Sequence, residues 1–172
     1  MSPSGKGAGV RLEAFNTEPA DAAAQAVQGC ADIPAWVDAV VAGRPYADVA
    51  RLLARADGLA REWSDADVDR ALAQHPRIGE RGGAESAREQ SGVAADRATR
   101  ARLRAGNEAY ERRFGRVFLI RAAGRSEADV LTALNERLAH DEETERRVVA
   151  AELREIAILR LERLVTEEGA RP

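Results

Sequence analysis

The chain has 172 residues, of which 45% are hydrophobic, 32% are charged and only 4% are aromatic. Alanine, arginine, glutamate and leucine dominate, and these strong helix formers favour helices over a sheet. A net charge of −3 gives no overall attraction to nucleic acid or to an anionic membrane. The single Cys30 excludes an intrachain disulfide, and the two separated histidines give no metal-ligand spacing.

The N-terminal half of the chain predicts a disordered tail followed by short helices. Residues 1–10 are rich in serine and glycine and lack an apolar signal segment, so we expect disorder there and a cytoplasmic location. Pro34 suits the first turn of a helix, and Ser64 suits an N-cap. The predicted helices run from about Thr17 or Glu18 toward Gln28, from Pro34 onward, from Tyr46 to about Arg61 and from Asp65 to Gln74.

His75 is the first candidate functional residue. Pro76 follows it, and a proline biases the preceding residue toward an extended backbone. We therefore expect the helix to stop near Gln74, so that a turn presents His75. Histidine titrates near neutral pH and can give or take a proton there. The alternative is an ordinary surface histidine at a helix end.

A second candidate site begins eleven residues later, after residues 79–83, which are rich in glycine and are predicted to form a flexible loop. Ser86, Glu89 and Gln90 have the i, i+3, i+4 spacing that places three side chains on one helix face. A hydroxyl, a carboxylate and an amide on one face suit a small ligand rich in hydrogen-bonding groups. The alternative is a capping box, in which Ser86 and Glu89 satisfy backbone amides at a helix start.

The C-terminal half predicts three more helices and one extended segment. Gly115 suits the end of a helix that Asp96 begins, and Ser126 suits the cap of the next. The apolar run Val117–Ile120 is too short to define a sheet, and we interpret it as an extended buried segment. The last helix is expected from about Asp141 to Val165. The predicted fold is an all-α, single-domain helical bundle over residues 11–167, with tails at 1–10 and 168–172.

Arg160 is unexpected within the last helix. Leu153, Ile156, Arg160 and Leu164 are spaced three, four and four residues apart, which would place the arginine on an apolar stripe. A buried arginine is costly unless it is paired. It is either a structural arginine, paired or reaching water, or a cation that grips a polar or anionic ligand. The second histidine, His140, is interpreted as a helix cap or a surface residue.

These residues form an ordered series that resembles the 2-oxo-4-hydroxy-4-carboxy-5-ureidoimidazoline (OHCU) decarboxylase family of urate catabolism. The resemblance covers roughly residues 12–166. The series consists of His75-Pro76, Ser86-x-x-Glu89-Gln90, Asn107-x-x-Tyr110, Phe114-Gly115-x-x-Phe118, Gly124-Arg125-Ser126, Arg137-Leu138 and Leu159-Arg160-Leu161.

The resemblance implies a carboxy-lyase that converts this ureido-imidazoline to (S)-allantoin, as a homodimeric bundle with no metal or organic cofactor. It assigns the catalytic roles to His75, Glu89 and Arg160. The residues it implies for substrate binding are Pro76, Ser86, Ala87, Arg88, Gln90, Phe118, Leu119, Ile120, Arg121 and Ala122. The spacing between His75 and Ser86 is shorter than in several relatives.

A non-catalytic module is the competing hypothesis. Amphipathic helices and the arginine-rich run from Arg97 to Arg104 would suit a helical interaction protein, and an inactive family member would suit a ureide-binding module. An off-helix histidine and an arginine within an apolar stripe are features that a scaffold does not need, so they favour the enzyme.

Overall fold

The computed structural model describes residues 12–75 and 93–166, and it describes residues 93–96 by backbone alone. Eight helices occupy these ranges, in agreement with the predicted all-α class. They are α1 (Leu12–Thr17), α2 (Ala20–Gln28), α3 (Pro34–Ala42), α4 (Val49–Ala60), α5 (Asp65–Leu72), α6 (Val93–Phe114), α7 (Glu127–Arg137) and α8 (Glu142–Leu164). Within the described ranges, each helix is too short or too polar to serve as a membrane span.

The chain divides into two compact units. The first contains α1–α4 and the part of α8 that begins at Arg154, and the second contains residues 65–153. In the first unit, Trp36 is buried and donates its indole N–H to the Ala56 carbonyl at 2.9 Å. Arg44 donates to the Phe15 and Glu18 carbonyls at 2.6 and 2.9 Å, which satisfies backbone groups left without partners at the end of α1.

The second unit is built around α6 and α7. Its core consists of Leu103, Tyr110, Phe114, Phe118, Ile120, Val130 and Leu134. Ser126 caps α7 through a reciprocal capping box with Asp129, as its position before an apolar period predicts. Gly115 ends α6 at a φ of 65°, a left-handed conformation that glycine adopts without steric cost.

Helix boundaries differ from the predictions where a second local signal competes. The helix expected from Thr17 or Glu18 begins at Ala20, because Pro19 disfavours a helical Glu18 and stands at the N-cap. Helix α4 begins at Val49, three residues later than predicted, because the Asp48 carboxylate accepts the Arg51 N–H at 2.7 Å and fixes the cap there. Helix α5 ends at Leu72, two residues before the predicted end.

The predicted apolar stripe of α8 is wrong. The fully buried positions are Glu145, Val149, Leu153, Ala157, Leu161 and Val165, one in every four residues, whereas Arg160 is exposed. Four residues turn an α-helix by slightly more than one revolution, so this buried face winds around the axis. The apolar periodicity of the sequence could not identify this buried face, because Ile156, Ile158 and Leu159 also make the neighbouring faces apolar.

Two glycines within helices predict opposite effects of substitution by alanine. A Cβ at Gly106 would lie 2.5 Å from Cδ2 of Leu134, so this fully buried side chain would have to shift, whereas a Cβ at Gly58 would meet nothing within 4 Å. We expect Gly106→Ala to lower the free energy of unfolding by about 1–3 kcal/mol through overpacking. Gly58→Ala, the matched control, should raise it by up to about 1 kcal/mol through helix propensity. Urea unfolding followed by circular dichroism measures both, and equal effects would contradict the close packing of α6 on α7.

Candidate functional site

His75 lies three residues beyond the end of α5, in a turn, as its position before Pro76 predicts. Its backbone N–H donates to the Leu72 carbonyl at 2.9 Å, and its ring Nδ1 lies 2.9 Å from the Ala71 carbonyl oxygen. Because a carbonyl oxygen only accepts hydrogen bonds, this contact requires a proton on Nδ1. Nε2 is therefore the ring nitrogen at which His75 can gain or lose a proton.

An open groove of about 490 Å³ lies beside this turn in the second unit. Asp69, Leu72 and Ala73 line one side, and Glu111, Arg116 and Val117 lie on the other. The Arg116 guanidinium is held 2.7 Å from Glu142 and 3.7 Å from Asp69, so the groove carries a nearly buried, paired cation. In the sequence, His75 follows the groove residue Ala73 by two positions, and Phe118 directly follows the groove residue Val117.

The segment Phe118–Ala122 lies in the connection between α6 and α7, and its first three residues are buried, as predicted for the run Val117–Ile120. Phe118, Leu119 and Ile120 are each at least 95% buried, Arg121 is half-buried and Ala122 is exposed. The end at Arg121 and Ala122 is therefore the most accessible part of the segment. The Leu119 carbonyl accepts from Arg137 at 2.6 Å, and the Arg121 N–H donates to Glu152 at 2.6 Å.

A buried ionic network lies directly behind this segment. The Glu145 carboxylate is fully buried and accepts from the Tyr110 hydroxyl, from Arg137 Nε at 2.8 Å and from His140 Nδ1 at 2.8 Å. The Arg137 guanidinium also lies over the Phe118 ring, 4.6 Å from its centroid. Three side chains thus share one carboxylate, which satisfies a charge that would be costly to bury alone.

The prediction for His140 is wrong. The sequence indicates a helix cap or a surface residue, but the ring pairs with the fully buried Glu145 carboxylate while the side chain keeps 31% of its exposure. Glu145 is only five residues further along the chain, but its burial is decided by packing and cannot be read from the residues beside His140 in the sequence.

Arg160 lies on the exposed side of α8 in the first unit, where NH1 lies 3.4 Å from the Cys30 carbonyl oxygen. A fixed backbone acceptor orients the guanidinium at the surface of the helix. The expectation that Arg160 interrupts the buried stripe is therefore wrong. The exposure of Arg160 does not test its predicted role as a ligand-binding cation.

Six predicted site residues lie outside the described residues, namely Pro76, Ser86, Ala87, Arg88, Glu89 and Gln90. The described ones fall into both units: His75 and Phe118–Ala122 are in the second, and Arg160 is in the first. Across residues 12–75 and 93–166, no three histidine, cysteine, aspartate or glutamate side chains gather in a way suited to a metal ion.

The profile of the OHCU decarboxylase family matches residues 16–162. The chain belongs to this family. The match spans the predicted histidine, the extended segment and the last helix, and it confirms the resemblance drawn from the motif series. No curated protein sequence matches the chain significantly.

Two solved structures have the same fold as this family member. The crystal structure of an (S)-allantoin synthase is 21% identical with a TM-score of 0.69; the match covers 91% of this chain and 54% of that one. The crystal structure of an OHCU decarboxylase in the presence of (S)-allantoin is 23% identical with a TM-score of 0.69, covering 81% of this chain and 96% of that one. This chain therefore spans about half the length of the allantoin synthase.

Sequence reasoning missed the network of Arg137 and Glu145, although a usable signal exists. Arg137 follows Val130 and Leu134 at helical spacing, and Glu145 precedes Val149 and Leu153 at intervals of four. Each is a charge on an apolar stripe, the same pattern that singled out Arg160. Two opposite charges on stripes of successive helices indicate a buried pair.

The tyrosines of this family member predict a loss of stability at alkaline pH. Burial, followed by the hydrogen bond to Glu145, raises the pKa of Tyr110, and burial raises the pKa of Tyr46. Burial, opposed by Arg160, raises the pKa of the Cys30 thiol to about 11. The unfolded chain loses the thiol and phenol protons near their ordinary pKa values of about 8.5 and 10. At higher pH the unfolded chain therefore binds fewer protons than the folded protein does. The free energy of unfolding should then fall by roughly 1.4 kcal/mol per pH unit for each group titrating only in the unfolded state.

Absorbance at 295 nm and far-ultraviolet circular dichroism test this together. The chain has only two tyrosines, so tyrosinate absorbance should appear with the loss of helix, above pH 10. Tyr46→Phe and Tyr110→Phe assign the signal. Complete ionisation at pH 10 in protein that retains its helix would contradict the predicted shifts.

Proposed function

We propose that this chain is a cofactor-independent decarboxylase that converts 2-oxo-4-hydroxy-4-carboxy-5-ureidoimidazoline to (S)-allantoin in urate catabolism. The observation that carries the proposal is the family match over residues 16–162, which includes a histidine whose Nδ1 is engaged by the Ala71 carbonyl. The related OHCU decarboxylase structure was determined in the presence of (S)-allantoin, the product proposed here.

The substrate itself can accept the electrons that decarboxylation releases. When the bond between the ring carbon and the carboxylate breaks, CO2 leaves and the electron pair moves into the ring C=N system. A proton must then reach the resulting carbanion from one face to give a single enantiomer. The protein has to orient the substrate, place charge and transfer one proton.

His75 is the proposed group for that proton transfer. Because Nδ1 donates to a backbone carbonyl, the ring orientation is fixed and proton exchange is directed to Nε2. Protonated Nε2 would act as the general acid toward the carbanion, and neutral Nε2 would act as the base that first draws the proton from the substrate hydroxyl. Glu89 is proposed to orient the imidazole or the ureido group and to raise the basicity of the histidine.

The remaining predicted residues would bind the substrate. Arg160 is proposed to hold substrate oxygens, because its guanidinium is exposed and oriented by the Cys30 carbonyl. Ser86, Gln90 and the backbone near Ile120 would bind the ring and the ureido tail. The resemblance further suggests a homodimer in the cytoplasm, and light scattering after size exclusion would test the dimer.

A coupled assay tests the reaction. Urate oxidase and the following hydrolase generate the unstable ureido-imidazoline in the cuvette, and circular dichroism follows chiral allantoin. Rapid appearance of one enantiomer on addition of this protein supports the decarboxylase. If folded protein leaves only the slow racemic background, the proposal fails, and a non-catalytic ureide-binding or interaction module becomes the better hypothesis.

His75→Asn should lower kcat at least about 100-fold, since general acid–base catalysis contributes about 10²–10⁴-fold. The Asn amide can still donate to the Ala71 carbonyl but has no group at the position of Nε2. An unchanged melting temperature would show that the local fold is retained. Turnover within threefold of wild type would remove His75 from the mechanism.

Arg160→Ala should raise KM by roughly 10–150-fold with a smaller change in kcat, since a hydrogen bond to a charged group contributes about 1.5–3 kcal/mol. Stability should change by less than about 0.5 kcal/mol, because the side chain is exposed. Arg163→Ala, an exposed position on the same helix, is the matched control. Equal KM values in the two variants would argue against substrate binding by Arg160.

A further inference from the structure

The extended segment Phe118–Ala122 is held on both sides of Ile120 by charged side chains. Arg137 NH1 donates to the Leu119 carbonyl at 2.6 Å, and the Glu152 carboxylate accepts the Arg121 N–H at 2.6 Å. Arg137 and Glu152 are thus two anchors of the segment: Arg137 binds a backbone acceptor, and Glu152 binds a backbone donor. The two peptide groups that flank Ile120 therefore cannot turn without breaking a charge-assisted hydrogen bond.

The anchor at Leu119 is rigid because Arg137 is itself fixed. Its guanidinium bonds the fully buried Glu145 carboxylate through Nε at 2.8 Å, and it lies 4.6 Å from the centroid of the Phe118 ring. Only 6% of the Arg137 side chain is exposed. The guanidinium thus cannot follow the segment if the segment moves.

The anchor at Arg121 is different in kind. Glu152 is half-buried on α8, and the described contact of its carboxylate is this one backbone N–H. It lies at the accessible end of the segment, where Arg121 and Ala122 are more exposed than the three residues before them. Its removal should release that end while the buried network stays in place.

We propose that Glu152 and Arg137 are positioning residues that hold Phe118–Ala122 in the conformation that binds substrate, an inference that rests on the proposed function. The Leu119 carbonyl and the Arg121 N–H are already used by the anchors, and the Ala122 carbonyl accepts from the Arg125 N–H at 3.0 Å. The backbone groups at the exposed end of the segment, the Ala122 N–H among them, are the ones that the segment would present to a ligand, since Ile120 is only 3% exposed. Fixing them before binding removes the ordering cost that a loose segment would impose.

Glu152 gives the decisive test, since variants of Arg137 would leave a buried charge unpaired and are expected to lose stability. Glu152→Met keeps the length and helix propensity of the side chain but removes the acceptor. Glu152→Gln retains an acceptor oxygen. Glu143→Met is the matched control, because Glu143 is on the same helix and its ion pair with Arg147 is highly exposed.

In the coupled assay, Glu152→Met should raise KM about tenfold with kcat within threefold of wild type. A segment that is in the binding conformation for only a tenth of the time weakens apparent affinity tenfold, and saturating substrate restores the turnover. Glu152→Gln should return KM to within threefold of wild type, and Glu143→Met should leave it unchanged. A merely structural role would lower the melting temperature without this separation of KM from kcat.

The outcomes separate the two proposals. An active wild type with an unchanged KM in Glu152→Met overturns the positioning role alone. The positioning role also fails if Glu152→Gln is as impaired as Glu152→Met, because the acceptor oxygen is then irrelevant. Folded wild-type protein without turnover overturns the proposed function, and the positioning role with it.

Discussion

Glu145 is a fully buried carboxylate, and the second unit depends on how its charge is compensated. A carboxylate cannot leave water without partners, and this one receives hydrogen bonds from Arg137, from His140 and from the Tyr110 hydroxyl. These side chains come from α6, from the end of α7 and from the connection to α8. One charge therefore fixes three elements that helix propensity alone would leave free to slide against one another.

The same network connects the packing of the unit to its candidate chemistry. Arg137 uses two nitrogens on Glu145 and a third on the Leu119 carbonyl, so the core charge pair also sets the position of the extended segment. Glu152, about two turns further along α8 than Glu145, fixes the backbone on the other side of Ile120 by accepting the Arg121 N–H. The segment has no ladder of strand hydrogen bonds in the described structure, and charged side chains take over that role.

Local signals accounted for much of the fold and for part of the candidate site. Pro34 begins α3, Ser126 caps α7 and Gly115 ends α6 as predicted, because each acts through its own backbone angles or its nearest neighbours. His75 follows for the same reason, since Pro76 restricts the residue before it. The family match confirmed the identity that the motif series indicated, while the roles of Glu89 and Arg160 rest on the resemblance.

Sequence by itself therefore determined the helical class, several helix ends and the turn that presents His75, all of which are set within a few residues of chain. Only the tertiary structure decided which face of α8 is buried, that Arg160 is exposed, and that His140 joins a buried carboxylate. Tyr110 and Glu145 are 35 residues apart in the chain, and the side chain that meets each buried charge is chosen by packing between helices. Periodicity places a residue on a face, but the neighbour on the other helix determines whether that face is covered.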